Sequence, residues 1–463
     1  MGKRMRVQQI AVAVFAWCAA NVAFAQADLY IRDTPADTGV QPNPDTGPMW
    51  VSQDIWVRTS PDPNWRPTPF NAASPPWTPA AHQNPEYRNP RFALPNYVYV
   101  RVRNRGTVAS SATTQLHVYW AKASSGLAWP ASWVDAYTPT CGTDRLMGAE
   151  ITKPRVDAAT ASATQRQRLR DAYITMATTP AFALLTGYDY WTKQQQIHVR
   201  APEHHNPGFL PWHREFLNRL ELLLQQADPR VKLMYWQWTT DPTNSTGGTN
   251  LYTSGFMGNS GRGTGGTGMG APLSPALDPH PSESASVVRN MRTGVPGTAS
   301  DATQLGWDNY RGTIAAENFS VQIEQTPNHD ANHGYIGGTG GSMSVVASAT
   351  RDPFFFLLHG KADELWARWQ RANTTRFEAA TAYGSSATSA VIVNGLRPWN
   401  GVVPSGSPID PWTSGGGFIV TKNSLDRSVL SPPVYDTAPL TVPALAPGQA
   451  AVLEIPWYPP RPS

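Results

Sequence analysis

Cysteine is nearly missing: the 463 residues contain two. Cys18 sits in the N-terminal leader described below, which leaves Cys141 alone. A single thiol forms no intrachain disulfide, and it cannot be the main ligand of a metal site, so any such site must be built from histidine and oxygen. Long apolar runs are scarce too. The longest, from about Ile10 to Ala20, follows Lys3, Arg4 and Arg6 and ends at Ala23-Phe24-Ala25. A basic start, a short apolar middle and a small-x-small finish read as a secretory signal over residues 1–25, cut after Ala25. That run is too short to span a bilayer comfortably, and no later segment is continuous enough to try. The expectation is an exported protein, secreted or periplasmic, with no membrane partner. Charge is modest, 15% of residues with a net +4. Three of those charges leave with the leader, so nucleic acid is not an expected partner either.

What remains is β-structure at the ends and helix in the middle. "YVYVRVRN" (97–104) and "TTQLHVYWA" (113–121) alternate with period two, as half-buried strands do. Proline-dense stretches such as "SPDPNWRPTPFNAASPPWTP" exclude helix and read as loops. "APGQAAVLEIPWYPP" (446–460) supplies a further alternating run. A sheet with open edges needs partners for them, so residues 26–140 and 436–463 are expected to pair into one β-sandwich, with 141–435 inserted between. The insert carries apolar spacings of three and four in "RQRLRDAYITMA", "FLNRLELLLQQ" and "RDPFFFLLHGKADELWARWQ". In the last of these Asp352 suits the N-cap and Pro353 the first helical position. A glycine- and serine-rich tract, residues 244–272, reads as a long loop. The fold class is multidomain, α plus β.

Histidine is sparse as well, ten residues, yet six fall into two trios. His198 closes one helical stretch, His204 lies in the turn after it, and His213 stands near the start of the next helix. His329 and His333 are four apart, which on a helix places both on one face, and His359 comes from the helix beyond. Neutral imidazole is the commonest biological metal ligand, and three nitrogens per ion suit copper, zinc or iron. An all-nitrogen trio disfavours magnesium and calcium. Zinc held by three histidines and a water stays possible. A matched pair of trios points instead to two Cu(I) ions, each giving one electron to a shared O2.

"PGFLPWHREFLNRLE" resembles the first copper motif of tyrosinases, "DPFFFLLHGKADELWARWQ" their second, and "NHDANHGYIGG" their histidine pair followed by a double glycine. "LMYWQWT" (233–239) is similar to the family's strand after the first site. The resemblance covers roughly residues 155–435. It implies a four-helix bundle around a binuclear site, with His198, His204 and His213 on one copper and His329, His333 and His359 on the other. It also implies oxidation of small phenols or catechols to ortho-quinones by O2. The chain ends are similar to immunoglobulin-like modules.

The chain departs from the family pattern at several points. Leu358 replaces a histidine before His359, a packing change. The interval from His198 to His204 is short, so His205 competes with His204, which keeps the family's spacing to His213. The family's water-orienting glutamate corresponds to Glu324, and its asparagine to Asp330. A carboxylate at 330 is either a stronger base or a hydrogen-bond acceptor for an imidazole. Gly334 suggests a roomy entrance, and Met343 either brushes the incoming ring or fills the core. Arg214 and Asp363, each one turn from a ligand, suit a structural ion pair. Three other activities fit parts of the pattern. They are an ortho-aminophenol oxidase using the same site, a non-catalytic oxygen carrier of the haemocyanin kind, and an adhesion protein with the helices as spacer.

Overall fold

The computed structural model describes residues 10–14 (main chain), 26–34, 36–40, 52–88, 92–122, 127–137, 147–179, 190–201, 203–244, 248–278, 286–311, 318–403, 409, 412–413 and 419–460. The chain divides into two compact units. One comprises residues 1–88, 94–153 and 439–463, and the other 89–93 and 154–438. The β unit therefore runs thirteen residues past the boundary expected at 140 (153 − 140).

Its central strand is β5 (Asn96–Asn104), which pairs antiparallel with β11 (Gln449–Trp457) from Asn96↔Trp457 to Arg103↔Ala450. The two ends of the chain thus share one ladder. Along its other edge β5 takes β3 (Ile55–Arg58) and β2 (Leu29–Tyr30), and β4 (Phe70–Asn71) closes on β11. A second sheet runs β1 (Ile10–Val14), β6 (Val118–Lys122), β8 (Met147–Glu150), β7 (Ala136–Tyr137). Val98, Val100, Leu453 and Ile455 of the first sheet share a buried cluster with Val118, Trp120 and Met147 of the second. That common core gives the alternating sequence runs a face to bury. Strand β1 lies within the expected leader, and the cleavage point at Ala25 and the lone Cys141 lie outside the described residues.

The second unit is mainly helical. Its long helices are α1 (Ala163–Thr178), α2 (Tyr190–Arg200), α3 (Phe209–Ala227) and α6 (Phe354–Arg371), with the short α4 (Phe319–Glu324) and α5 (His329–Gly337) between them. Helix α1 opens on a complete capping box, Ser162 with Gln165, which satisfies two otherwise orphaned amides. Helix α6 starts one residue later than its sequence suggests: Pro353 is the cap, and the Asp352 carboxylate accepts from the Phe354 amide at 3.0 Å. Helices α3 and α6 are buried along nearly their whole length, so their charged residues must be paired inside. Arg214 pairs with Asp363, and Arg155 binds both Glu221 at 2.9 Å and Asp363 at 3.2 Å. A two-stranded parallel pair, β9 (Val156–Asp157) with β10 (Met234–Tyr235), lies beside them. Among the described residues no helix is long and apolar enough to cross a membrane.

Candidate metal centre

Two groups of histidine emerge from the bundle. His198, His204 and His213 form one, His329, His333 and His359 the other, and within each group the potential ligand atoms lie within 4.8 Å of one another. Each residue owes its place to a helix or a helix end. His198 is in the last turn of α2, and His213 is on α3. His329 and His333 are one turn apart on α5, and His359 is on α6. His204 occupies the α2–α3 turn, its ring centroid 5.1 Å from those of both His198 and His213. The two groups adjoin: the rings of His213 and His359 stack at 4.3 Å.

The main chain decides which nitrogen each ring turns inward. Nδ1 of His198 meets the Val346 carbonyl at 3.2 Å, that of His213 the Phe209 carbonyl at 2.8 Å, and that of His333 the Met343 carbonyl at 2.9 Å. Nδ1 of His329 faces the Glu324 carbonyl at 3.1 Å and the Asp330 carboxylate at 2.9 Å. A carbonyl only accepts, so these Nδ1 atoms carry the hydrogen and leave Nε2 as a bare lone pair. Nε2 of His198 and of His213 are buried without a partner. Nε2 of His329 and of His333 each lie 3.2 Å from Nε2 of His359. Lone pairs converging in a dry pocket are unfavourable unless a cation sits among them. The donor set therefore fits two metal ions, three nitrogens to each.

Burial keeps five of the rings neutral. It holds His198, His213 and His359 well below the usual imidazole range, with the neighbouring imidazoles acting in the same direction. His204 is brought down to about 4 and His333 to about 3, burial again leading. A neutral ring is the form that ligates. Phenylalanines hold the ring planes: Phe355 stacks on His359 at 4.0 Å, and Phe209 lies 4.6 Å from His213 and 4.8 Å from His329.

Burial across the centre is uneven. His198, His213, His329 and His359 are buried, whereas His204, Asp330, His333 and Gly334 are partly exposed and His205 is exposed. His204, not His205, joins the trio. His205 adopts a left-handed conformation, φ 53°, which turns its ring away while its amide donates to the Glu324 carboxylate. The other Glu324 carboxyl oxygen is buried without a partner. Burial pushes Glu324 up to about 8, Asp330 adds to this, and the His205 amide and Arg311 oppose it. Burial alone would raise Asp330, yet its hydrogen bond with His329 and the surrounding imidazoles hold it below the ordinary carboxylate range.

Two alternatives left open by the sequence are resolved. Met343 meets the site through its main chain, its carbonyl accepting from His333, while its side chain is 1% exposed and belongs to the core. Of its two expected roles the side chain takes core filling, and the carbonyl orients a ligand besides. Gly337 makes this contact feasible, because a Cβ there would stand 2.2 Å from the Ser344 amide nitrogen. Asp330, left open between base and acceptor, is seen here accepting from an imidazole. Among the described residues a Cβ at Gly334 would meet one neighbour, an Arg292 nitrogen at 3.8 Å, an ordinary contact. Leu358 is fully buried, a packing residue. The carbonyls of Phe209, Glu324, Met343 and Val346 had no signal in the sequence, since every residue has one.

A helical domain that turns six imidazoles inward as two adjoining trios defines a binuclear centre of the type 3 copper kind. Comparison with known proteins agrees. A family model described as the common central domain of tyrosinase matches residues 182–372. A tyrosinase of Streptomyces galbus is 30% identical over 220 residues, 44% of this chain and 76% of that protein. Grixazone synthase of Streptomyces griseus is 32% identical over 209 residues, 36% of this chain and 66% of that protein. Among solved structures, deoxygenated hemocyanin from Rapana thomasiana is similar at 17% identity, covering 62% of this chain and 70% of that chain with a TM-score of 0.42. The chain belongs to the tyrosinase family.

Proposed function

We propose that this protein is an exported copper oxidase that uses O2 to convert small phenols or catechols to ortho-quinones. The observation that carries the reading is the convergence of imidazole nitrogens in two neighbouring histidine trios, with Nε2 of His198 and of His213 buried without a partner. His198, His204 and His213 would hold one copper, and His329, His333 and His359 the other. The bound pair supplies the exchange of electrons between O2 and the phenol.

The protein's own groups do the rest. Partial exposure of His204, His333 and Gly334 leaves a face through which an aromatic ring reaches the centre. Such access favours an oxidase over an oxygen carrier, whose site has no use for it. A phenol with pKa near 10 must lose its proton to bind as an anion. Asp330, its carboxylate already engaged by His329, would accept a hydrogen bond from the hydroxyl or its water there. Glu324, steadied by the His205 amide and with one oxygen free, would hold the water that relays the proton. The carbonyls on the four Nδ1 atoms orient the imidazoles before any metal arrives.

The test combines copper analysis of the purified protein with oxygen uptake on a phenol, a catechol and an ortho-aminophenol. Two coppers per chain with uptake on the first two substrates are expected. One copper, zinc in place of copper, or no uptake would overturn the reading, and preference for the aminophenol would reassign the substrate.

A further inference from the structure

Four of the six imidazoles are steered by a main-chain carbonyl on Nδ1, those of His198, His213, His329 and His333. The other two are held differently. His359 lies within α6 and stacks on both Phe355, at 4.0 Å, and His213, at 4.3 Å. His204 has neither support. It belongs to no helix, it is partly exposed, and among the described residues no hydrogen bond reaches its ring. A ring on a loose turn would have to be ordered when a metal binds, which weakens the binding. What fixes the turn therefore decides what this ligand contributes.

The turn is gripped from both sides of His204 and His205. Glu203, 9% exposed, accepts from Arg397 Nη2 at 3.0 Å on one carboxylate oxygen and from Asn206 Nδ2 at 2.9 Å on the other. Both oxygens of a nearly dry carboxylate are thus engaged. Arg397 is a node between two ligands. Its carbonyl accepts from Trp212 Nε1 at 2.8 Å, and Trp212 directly precedes His213 on α3. Its side chain holds the flank of His204 while its main chain holds that of His213. Asn206 joins the turn to the start of α3, its Oδ1 accepting from the Gly208 amide at 2.8 Å and its carbonyl from the Phe209 amide at 3.2 Å. Glycine is needed at 208, because a Cβ there would stand 2.4 Å from a Val391 methyl carbon and 3.3 Å from the Glu203 Cβ.

We propose that Glu203 and Arg397 are positioning residues of the first metal site, their ion pair, completed by Asn206, holding the turn so that His204 meets the ion together with His198 and His213. This rests on the reading of the two trios as copper sites. A carboxylate with a guanidinium suits the task, since a charge-assisted hydrogen bond is about twice as strong as a neutral one and burial of Glu203 strengthens it further. The consequence is an asymmetry between the two ions. The ligands of the second trio all lie on helices, whereas the first trio depends on a contact between side chains.

The experiment titrates the protein, loaded with Cu(I) and kept free of O2, with the Cu(I) chelator bicinchoninate, and measures the copper retained per chain. Wild type is compared with Glu203→Ala, Arg397→Ala and the double variant, and His204→Ala marks which copper belongs to the first trio. Each single variant should release that copper about tenfold more readily, the lower end for loss of a group that supports a ligand, and leave the other copper unmoved. The double variant should match the singles and not exceed them, since all three break one contact. Asn206→Asp keeps the acceptor for Gly208 and replaces the donor to Glu203 by a repelling charge. It should loosen the same copper, and it carries the test if an Arg397 variant does not fold. Equal loosening of both coppers, or no change in either, would overturn this assignment alone. A wild type that does not hold two coppers would overturn the reading of the trios and this assignment with it.

Discussion

His213 and His359 lie ring on ring, centroids 4.3 Å apart and planes 13° from parallel, although they come from different helices and different trios. Each turns its Nε2 toward its own group. Two trios joined through such a stack place their ions side by side, and a two-electron oxidation by O2 needs that proximity. Removing either ring should therefore disable the pair and not half of it. His213→Ala should lower copper content from two to about one and cut catechol oxidation by more than about a hundredfold, beyond what losing a supporting contact costs. Full copper together with near wild-type turnover would show that the imidazole is not a ligand.

Glu324 and Asp330 should separate the two halves of the activity. Glu324→Gln or Asp330→Asn should slow monophenol oxidation on the order of a hundredfold, the usual scale for a lost proton-transfer group. Catechols, whose first proton leaves more readily, should change by only a few-fold. Parallel losses on both substrates would assign these carboxylates to holding the imidazoles alone.

Gly337 offers a test of how the site is supported. A methyl group there would sit 2.2 Å from the Ser344 amide and 2.9 Å from the Met343 carbonyl carbon, main-chain atoms that cannot swing aside. Gly337→Ala should destabilise the helical unit by about 1–3 kcal/mol. It should also weaken copper binding at the second trio, because the Met343 carbonyl must shift away from His333. Unchanged copper affinity in a folded but less stable variant would separate stability from ligand orientation.

Acid should unfold the helical unit through Glu221. Burial would raise this carboxyl, but Arg155 and Lys232 outweigh it with help from the Leu233 amide, and its value falls from the ordinary glutamate 4.5 to about 2. The folded form thus holds its proton less tightly than the unfolded chain. The stabilisation is complete above about pH 4.5 and disappears as pH falls from there toward 2, on the order of 3 kcal/mol in all. Chemical denaturation between pH 6 and 3 should show this loss in the wild type and a shallower one in Glu221→Gln, which starts less stable. Equal slopes would sink the assignment.

The chain states much of this in its own spacing. A repeat of three and four exposes one face of a helix, so the four-residue step from His329 to His333 puts both rings on one side wherever the helix packs. The alternation in 97–104 and 446–460 marks two strands, although the structure buries both on each face, and unpaired edges at both chain ends favour their joining. The boundary at 140 fell short because β7 and β8 are two and four residues long, too brief for a period to show. The ligand-orienting contact of Met343 was not legible because a sequence names side chains, whereas this residue acts through its carbonyl.

Helix periodicity and ligand chemistry follow from local order along the chain, and local order was sufficient to name six histidines and divide them three and three. Which nitrogen each ring turns inward, which ligands stay partly exposed, and that Arg397 meets Glu203 depend on contacts between segments far apart in the chain. Those contacts come from packing and from main-chain hydrogen bonds, which carry no residue signature, so only the folded arrangement decides them.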